Sequence, residues 1–289
     1  MISFTYVEPR DVGEVLETLA RHGDEAKLIA GGTGLINLMK QNLVQPAYLV
    51  GLHRIRGLDS IKSASGLAIG ALCTLRKIES ATVVDFGFLL LAETCRQVAT
   101  IRIRSMATIR GALAHADPYQ DTPPALMVLD AMVRLRSQKG TREVAVSDLF
   151  TGYYETVIQP DELVTEVFIP PQLSGSGSVF IKFLPQTHDD YATVAVAARV
   201  TLQNERISDA RVALGAAAST PLRAKVVEEA LRGQAPTPDA LRDAAALVAS
   251  VVDPIPDFRG SANYKRDMAV VFVRRALAQA VTRARAGGA

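Results

Sequence analysis

The residues best suited to chemistry are Lys27-Leu28-Ile29-Ala30-Gly31-Gly32-Thr33-Gly34-Leu35. A short apolar run ends in nearly bare backbone and opens a helix through Ile36-Asn37-Leu38-Met39-Lys40. Bare main chain comes close to a ligand, and glycine tolerates positive φ. Free amides at such a turn hold a phosphate or diphosphate without any charged side chain. A ligand-free strand-to-helix turn has the same composition, so this stretch alone leaves both readings open. The G-x-G-x-x-G spacing of the doubly wound dinucleotide fold is absent. A second stretch, from Met106 to Ala116, is mostly small or apolar and ends in Asp117-Pro118. By itself it reads as a buried crossover whose alanines permit close packing.

Other chemistries find little support. His22, His53, His115 and His188 lack metal-ligand spacing such as H-E-x-x-H. Cys73 and Cys95 are too few thiolates for an iron–sulfur cluster, and read as reduced thiols of a cytosolic protein. A net charge of +2 and the lack of an aromatic-rich basic patch argue against nucleic acid. Arg274, Arg275, Arg283 and Arg285 near the C-terminus read as a solvated helix face. Neither a secretory leader nor a membrane-spanning run is visible.

Positioning these residues takes elements. Val12, Val15, Leu16, Leu19 and Ala20 recur at helical spacing after Asp11. Asp11 with Glu14 makes a capping box, and Gly23 supplies the stop. Strands follow at residues 27–30 and 48–52, with a hairpin over 60–63 and 67–70. Thr74 caps a short helix over 75–80, and 88–99 is a strongly apolar helix. Asp121 or Thr122 caps a helix entered through Pro123 and Pro124. A hairpin over 132–137 and 143–146 and a strand at 163–169 complete a first domain, residues 1–173. Pro170-Pro171 and the serine–glycine tract at 174–178 mark a boundary. A second domain, residues 179–286, follows, with antiparallel strands at 179–184, 191–202 and 209–216 and helices at 223–232, 239–251 and 261–285.

Together and in this order, the two stretches resemble the FAD-binding medium subunit of the molybdenum hydroxylases, the xanthine dehydrogenase and aerobic carbon monoxide dehydrogenase family. Ala30-Gly31-Gly32-Thr33 is similar to the family's first flavin loop. Thr108-Ile109-Arg110-Gly111 with Ala114-His115-Ala116-Asp117-Pro118 is similar to its second. The resemblance continues through Pro160-Asp161-Glu162-Leu163-Val164-Thr165-Glu166, residues 182–198, Asp209-Ala210-Arg211-Val212-Ala213-Leu214-Gly215, Thr220-Pro221-Leu222-Arg223-Ala224 and Gly260-Ser261-Ala262-Asn263-Tyr264. It covers nearly the whole chain, whose length is that of a separate medium subunit.

The resemblance implies an α+β fold. A two-part α/β FAD-binding domain of the vanillyl-alcohol-oxidase (PCMH) type precedes a small sheet-plus-helices domain like the carbon monoxide dehydrogenase flavoprotein C-terminus. FAD would lie between the two α/β parts, beside Leu28 and Ile29. Its diphosphate would rest on amides of Ala30, Gly31, Gly32, Thr33, Gly34 and Leu35 and of Thr108, Ile109, Arg110, Gly111 and Ala112. Asp121 would reach the ribityl or nucleotide part, and Val164 would touch the adenine or the ring. Lys182 would approach the ring edge, where a cation stabilises the reduced anionic flavin, and Tyr191 would shield one ring face. Asp189 and Asp190 would either support that edge by hydrogen bonds or form a solvated turn.

Many family members read Thr-Ile-Gly-Gly-Asn in the second loop, where this chain has Arg110 and Ala112. Arg110 implies either a changed turn or a guanidinium offered to the diphosphate, and Ala112 removes a side-chain amide. Gln186 stands where xanthine dehydrogenases carry an arginine near the acceptor side, which weighs against NAD as acceptor. The implied role is electron transfer, with no catalytic residue and no metal in this chain. A large molybdopterin subunit and a small subunit with [2Fe–2S] clusters would complete a cytoplasmic dimer of heterotrimers. The alternatives are a flavin-free assembly subunit of the same complex or a stand-alone FAD oxidoreductase.

Overall fold

A computed structural model describes residues 3–185, 187 and 190–287, with residue 86 as backbone only. The first layer is β1 (Thr5–Val7), α1 (Val12–His22), β2 (Ala26–Ile29), α2 (Leu35–Lys40) and β3 (Tyr48–Gly51), its parallel sheet ordered β1-β3-β2. Asp11 starts α1 by accepting from the Glu14 N–H at 3.0 Å, and Gly23 ends it. The Glu14 carboxylate accepts from the Arg10 N–H rather than that of Asp11, so the box is displaced by one residue. Val15, Leu16 and Leu19 bury against Val50 and Leu52, which fixes the sheet from which the glycine turn emerges.

The second part runs β4 (Ile61–Ser63), β5 (Leu67–Gly70), then helices α3 (Leu75–Glu79), α4 (Thr82–Gly87), α5 (Leu89–Arg96), α6 (Ile101–Arg104), α7 (Ile109–His115) and α8 (Thr122–Val128). Strands β6 (Met132–Ser137), β7 (Gly140–Ala145), β8 (Phe150–Gly152), β9 (Glu155–Thr156) and β10 (Leu163–Ile169) follow. The larger sheet is ordered β4-β5-β10-β6-β7. The helix expected over 88–99 is shorter, because α5 ends at Arg96 and Ala99 takes a left-handed φ of 39°. Helix α4 lies ahead of it, where the sequence shows no helical period.

The last part is β11 (Ser176–Phe183), β12 (Val194–Gln203), β13 (Arg206–Gly215), β14 (Leu222–Arg223), α9 (Lys225–Leu231), α10 (Pro238–Ala246) and α11 (Ala262–Arg285). A two-residue fourth strand, β14, extends the expected antiparallel sheet. Strand β12 alternates valine and alanine, and both faces are buried. Val194, Val196 and Val200 pack toward α9 and α11, whereas Ala195 and Ala197 join the core of the first part. Lys182 pairs in register with Ala195 and therefore faces the first part as well. The serine–glycine tract is partly strand. A Cβ on Gly177 would lie 2.2 Å from the Ala280 carbonyl oxygen, so glycine there admits the backbone of α11.

No helix among the described residues is long and apolar enough to cross a membrane.

Candidate functional site

The glycine turn between β2 and α2 is pressed against residues 106–115. A Cβ on Gly31 would lie 1.7 Å from the Met106 carbonyl oxygen, and one on Gly34 would lie 2.7 Å from His115 Nε2. Glycine is therefore required at Gly31, where the obstacle is backbone, and at Gly32 for a φ of 71°, while at Gly34 it makes room for the His115 ring. Between the two segments opens a cavity of about 410 Å³, within the ~300–1,000 Å³ range of cofactor clefts. Residues 27–35 line it in an unbroken run. Among the described residues, the N–H groups of 31, 32, 33, 34 and 35 have no acceptor in the protein. Unpaired amides in sequence along a cleft are an anion-binding surface.

The second segment differs from expectation. Thr108 caps α7, accepting from the Gly111 N–H at 3.1 Å. The Ile109 N–H donates to Cys73 O at 3.0 Å, Arg110 N–H to Ala71 O at 3.1 Å and Ala112 N–H to Thr108 O at 3.0 Å. These amides already have partners, because the start of α7 is bridged to the segment before α3; of the expected set only the Thr108 N–H has no acceptor among the described residues. Nor does Arg110 change the turn, since it lies within α7 and is not among the positive-φ residues. Its side chain lines the cavity, with Nε enclosed and unpartnered. Burial alone pushes the guanidinium down to about 10.

Thr108, Gly111, Ala112, Asp121, Lys182 and Tyr191 also line the cavity. Ile109 and Val164 do not; both sit in the apolar core, Val164 opposite Leu135. Asp121 does not cap α8 with its side chain, as its own backbone is already helical. Its Oδ2 accepts from Lys182 Nζ at 2.8 Å, with both side chains almost fully buried. Lys182 also donates to the Gln97 carbonyl at 3.0 Å, so its ammonium is not held free for a ring edge. Asp121 Oδ1 is a buried acceptor without a donor. Burial raises the Asp121 carboxyl to about 6, against the pull of Lys182.

Tyr191 is half exposed, with its ring 5.9 Å from that of Tyr119. Arg259 bonds Asp190 at 2.5 Å and lies 5.8 Å from the Tyr191 ring, so the loop before α11 braces this wall. Gln186 and Asp189 lie outside the described residues. Sequence reasoning missed Val98, Ala99, Ile103 and Tyr119 in the lining. His115 went unassigned too; burial lowers its imidazole below the usual range. No group of residues suited to hold a metal ion occurs among the described residues.

Residues 2–172 match the family described as FAD binding domain in molybdopterin dehydrogenase, and 180–280 match the CO dehydrogenase flavoprotein C-terminal domain. The chain is 35% identical over 285 residues to subunit alpha of the 6-hydroxypseudooxynicotine dehydrogenase complex of Paenarthrobacter nicotinovorans, covering 98% of this chain and 96% of that one. It is 35% identical over 284 residues to the carbon monoxide dehydrogenase medium chain of Afipia carboxidovorans, covering 98% of each. A solved structure of carbon monoxide dehydrogenase from Hydrogenophaga pseudoflava, lacking the Mo-pyranopterin moiety of the molybdenum cofactor, matches with a TM-score of 0.94 at 35% identity, covering 98% of this chain and 99% of that chain.

Proposed function

The chain belongs to the FAD-binding family of the molybdopterin dehydrogenases, and on that premise we propose that it is the electron-transfer medium subunit of a molybdenum hydroxylase complex. It takes electrons from [2Fe–2S] clusters in a small partner subunit and passes them to an external acceptor. A large molybdopterin subunit oxidises the substrate. The observation that carries this reading is the run of acceptor-free amides at 31–35 along a cleft.

The residues present fit FAD. Amides of 31–35 would hold the diphosphate, and the orphaned Asp121 Oδ1 would accept from a hydroxyl. Thr108 and Gly111 would line the second side, and Tyr191 would supply an aromatic wall. When bound, FAD supplies the capacity to accept and release electrons. The chain's own residues bind, orient and exclude water.

Relatives whose names carry unrelated substrates, carbon monoxide and 6-hydroxypseudooxynicotine, are equally identical to this chain at 35%. That parity supports assigning substrate choice to the large subunit. The names "medium chain" and "complex subunit" support a multi-subunit assembly, for which we propose a dimer of heterotrimers. Two buried free cysteines, Cys73 and Cys95, are consistent with our assignment to the cytoplasm.

Equilibrium titration of the flavin-free chain with FAD tests the reading. Saturable binding with flavin absorbance is expected; a folded chain that binds no FAD would turn the assignment toward the flavin-free assembly role.

A further inference from the structure

Arg110 is a half-buried cation whose enclosed Nε faces no carboxylate among the described residues. Its Nε has no acceptor, and burial is the sole influence on its protonation. Arginines elsewhere in the interior are compensated. Arg199 and Arg211 share Asp130 and Asp209, and Arg223 is forked onto Glu228. Arg259 meets Asp190 and Asp257. The fully enclosed cation beside the cleft, Lys182, is paired with Asp121. A partly enclosed charge with no counter-charge is unfavourable unless something of opposite sign arrives.

Backbone demand does not explain an arginine at this position. Arg110 is an ordinary helical residue of α7, so packing alone would be served by a small or apolar side chain. The cleft it lines is the one along which the free amides of 31–35 run. The amides of Ile109, Arg110, Gly111 and Ala112, on the opposite side, are already engaged. One side of the cleft thus offers a run of main-chain donors, and the other offers the Thr108 N–H and a guanidinium.

We propose that Arg110 is a diphosphate-binding residue, its guanidinium supplying from α7 the donors that the α7 main chain does not. The proposal rests on the FAD reading above and adds a residue to it. A planar fork of donors suits paired phosphate oxygens and is preorganised for them. In the flavin-free chain the same group is a liability, so cofactor binding and local stability are linked through it.

The test uses the full chain freed of flavin, with Arg110→Gln and Arg110→Lys. Each protein is titrated with FAD, with ADP as the diphosphate-bearing half and with riboflavin as the half without phosphate. Arg110→Gln is expected to lose about 10- to 100-fold in affinity for FAD and ADP, the loss of one charge-assisted contact. Riboflavin affinity should be unchanged, and Arg110→Lys should fall between. Flavin-free Arg110→Gln should melt at or above the wild type, and should gain less on adding FAD. Equal or tighter binding of FAD and ADP by Arg110→Gln would overturn the proposal while leaving the FAD reading intact. Failure of the flavin-free Arg110→Gln chain to fold, with Arg110→Lys folded, would also overturn it, by making the guanidinium a structural group. A wild-type chain that binds neither FAD nor ADP would instead remove the reading beneath it.

Discussion

At the scale of the residue, Asp121 is held between opposing effects. Burial favours its neutral form and Lys182 favours its charge, and burial wins, with the carboxyl at about 6. An ordinary aspartate titrates near ~3.9. A folded value raised above the unfolded one gives stability that is complete at low pH and lost as pH rises through the folded value. The flavin-free chain should therefore lose stability through this group between about pH 4 and about pH 6. FAD binding acts in the opposite direction, because a hydroxyl donating to Oδ1 favours the carboxylate. Affinity for FAD is expected to rise with pH across about 6, and Asp121→Asn should flatten both dependences. Equal slopes in the two proteins would exclude Asp121 from the titration. The resemblance assigns Asp121, Lys182 and Tyr191 to different parts of the flavin, but gives no sign of the ion pair between the first two, since residues 61 apart carry no mark of their contact. Val164 and Ile109 show the limit of a motif match. It identifies a position in the chain but not the direction of the Val164 side chain, which turns into the core, nor that the Ile109 amide is already spent on the Cys73 carbonyl.

At the scale of the element, the cleft depends on two segments touching without side chains between them. Gly31 backs onto the Met106 carbonyl, so Gly31→Ala must push the turn away from the segment before α7. The expected cost is ~1–3 kcal/mol in a denaturant titration, with weaker FAD binding. Gly87, at the end of α4, has open space where a Cβ would go, and Gly87→Ala should change stability by less than ~1 kcal/mol. Equal effects at the two sites would mean the close approach is not what glycine secures at 31. Helices with caps and a clear apolar stripe, such as α1, are legible from sequence. Helices α4 and α6 are not, because they are too short to show a period, whereas α3, equally short, is announced by its Thr74 cap. The tract around Gly177 looks like a linker from its composition, yet part of it is strand, because the small residue is there for contact with α11.

At the scale of the whole molecule, the parts share one interior. The alanine face of β12 lies in the same core cluster as α5, α7 and α8. Arg199, Arg211 and Arg223 all converge on Asp130 just past α8, and Arg283 of α11 forks onto Glu93 of α5. These ties hold Lys182 and Tyr191, from the last part, against a cleft built by the first. The resemblance to the medium-subunit family conveys this arrangement from sequence, which local periodicity alone does not, because the joining contacts are distant along the chain. The most direct test is a crystal structure of the FAD-loaded chain. The diphosphate oxygens are expected within about 3 Å of the amides of residues 31–35. A diphosphate bound elsewhere, with those amides still without an acceptor, would contradict the central claim.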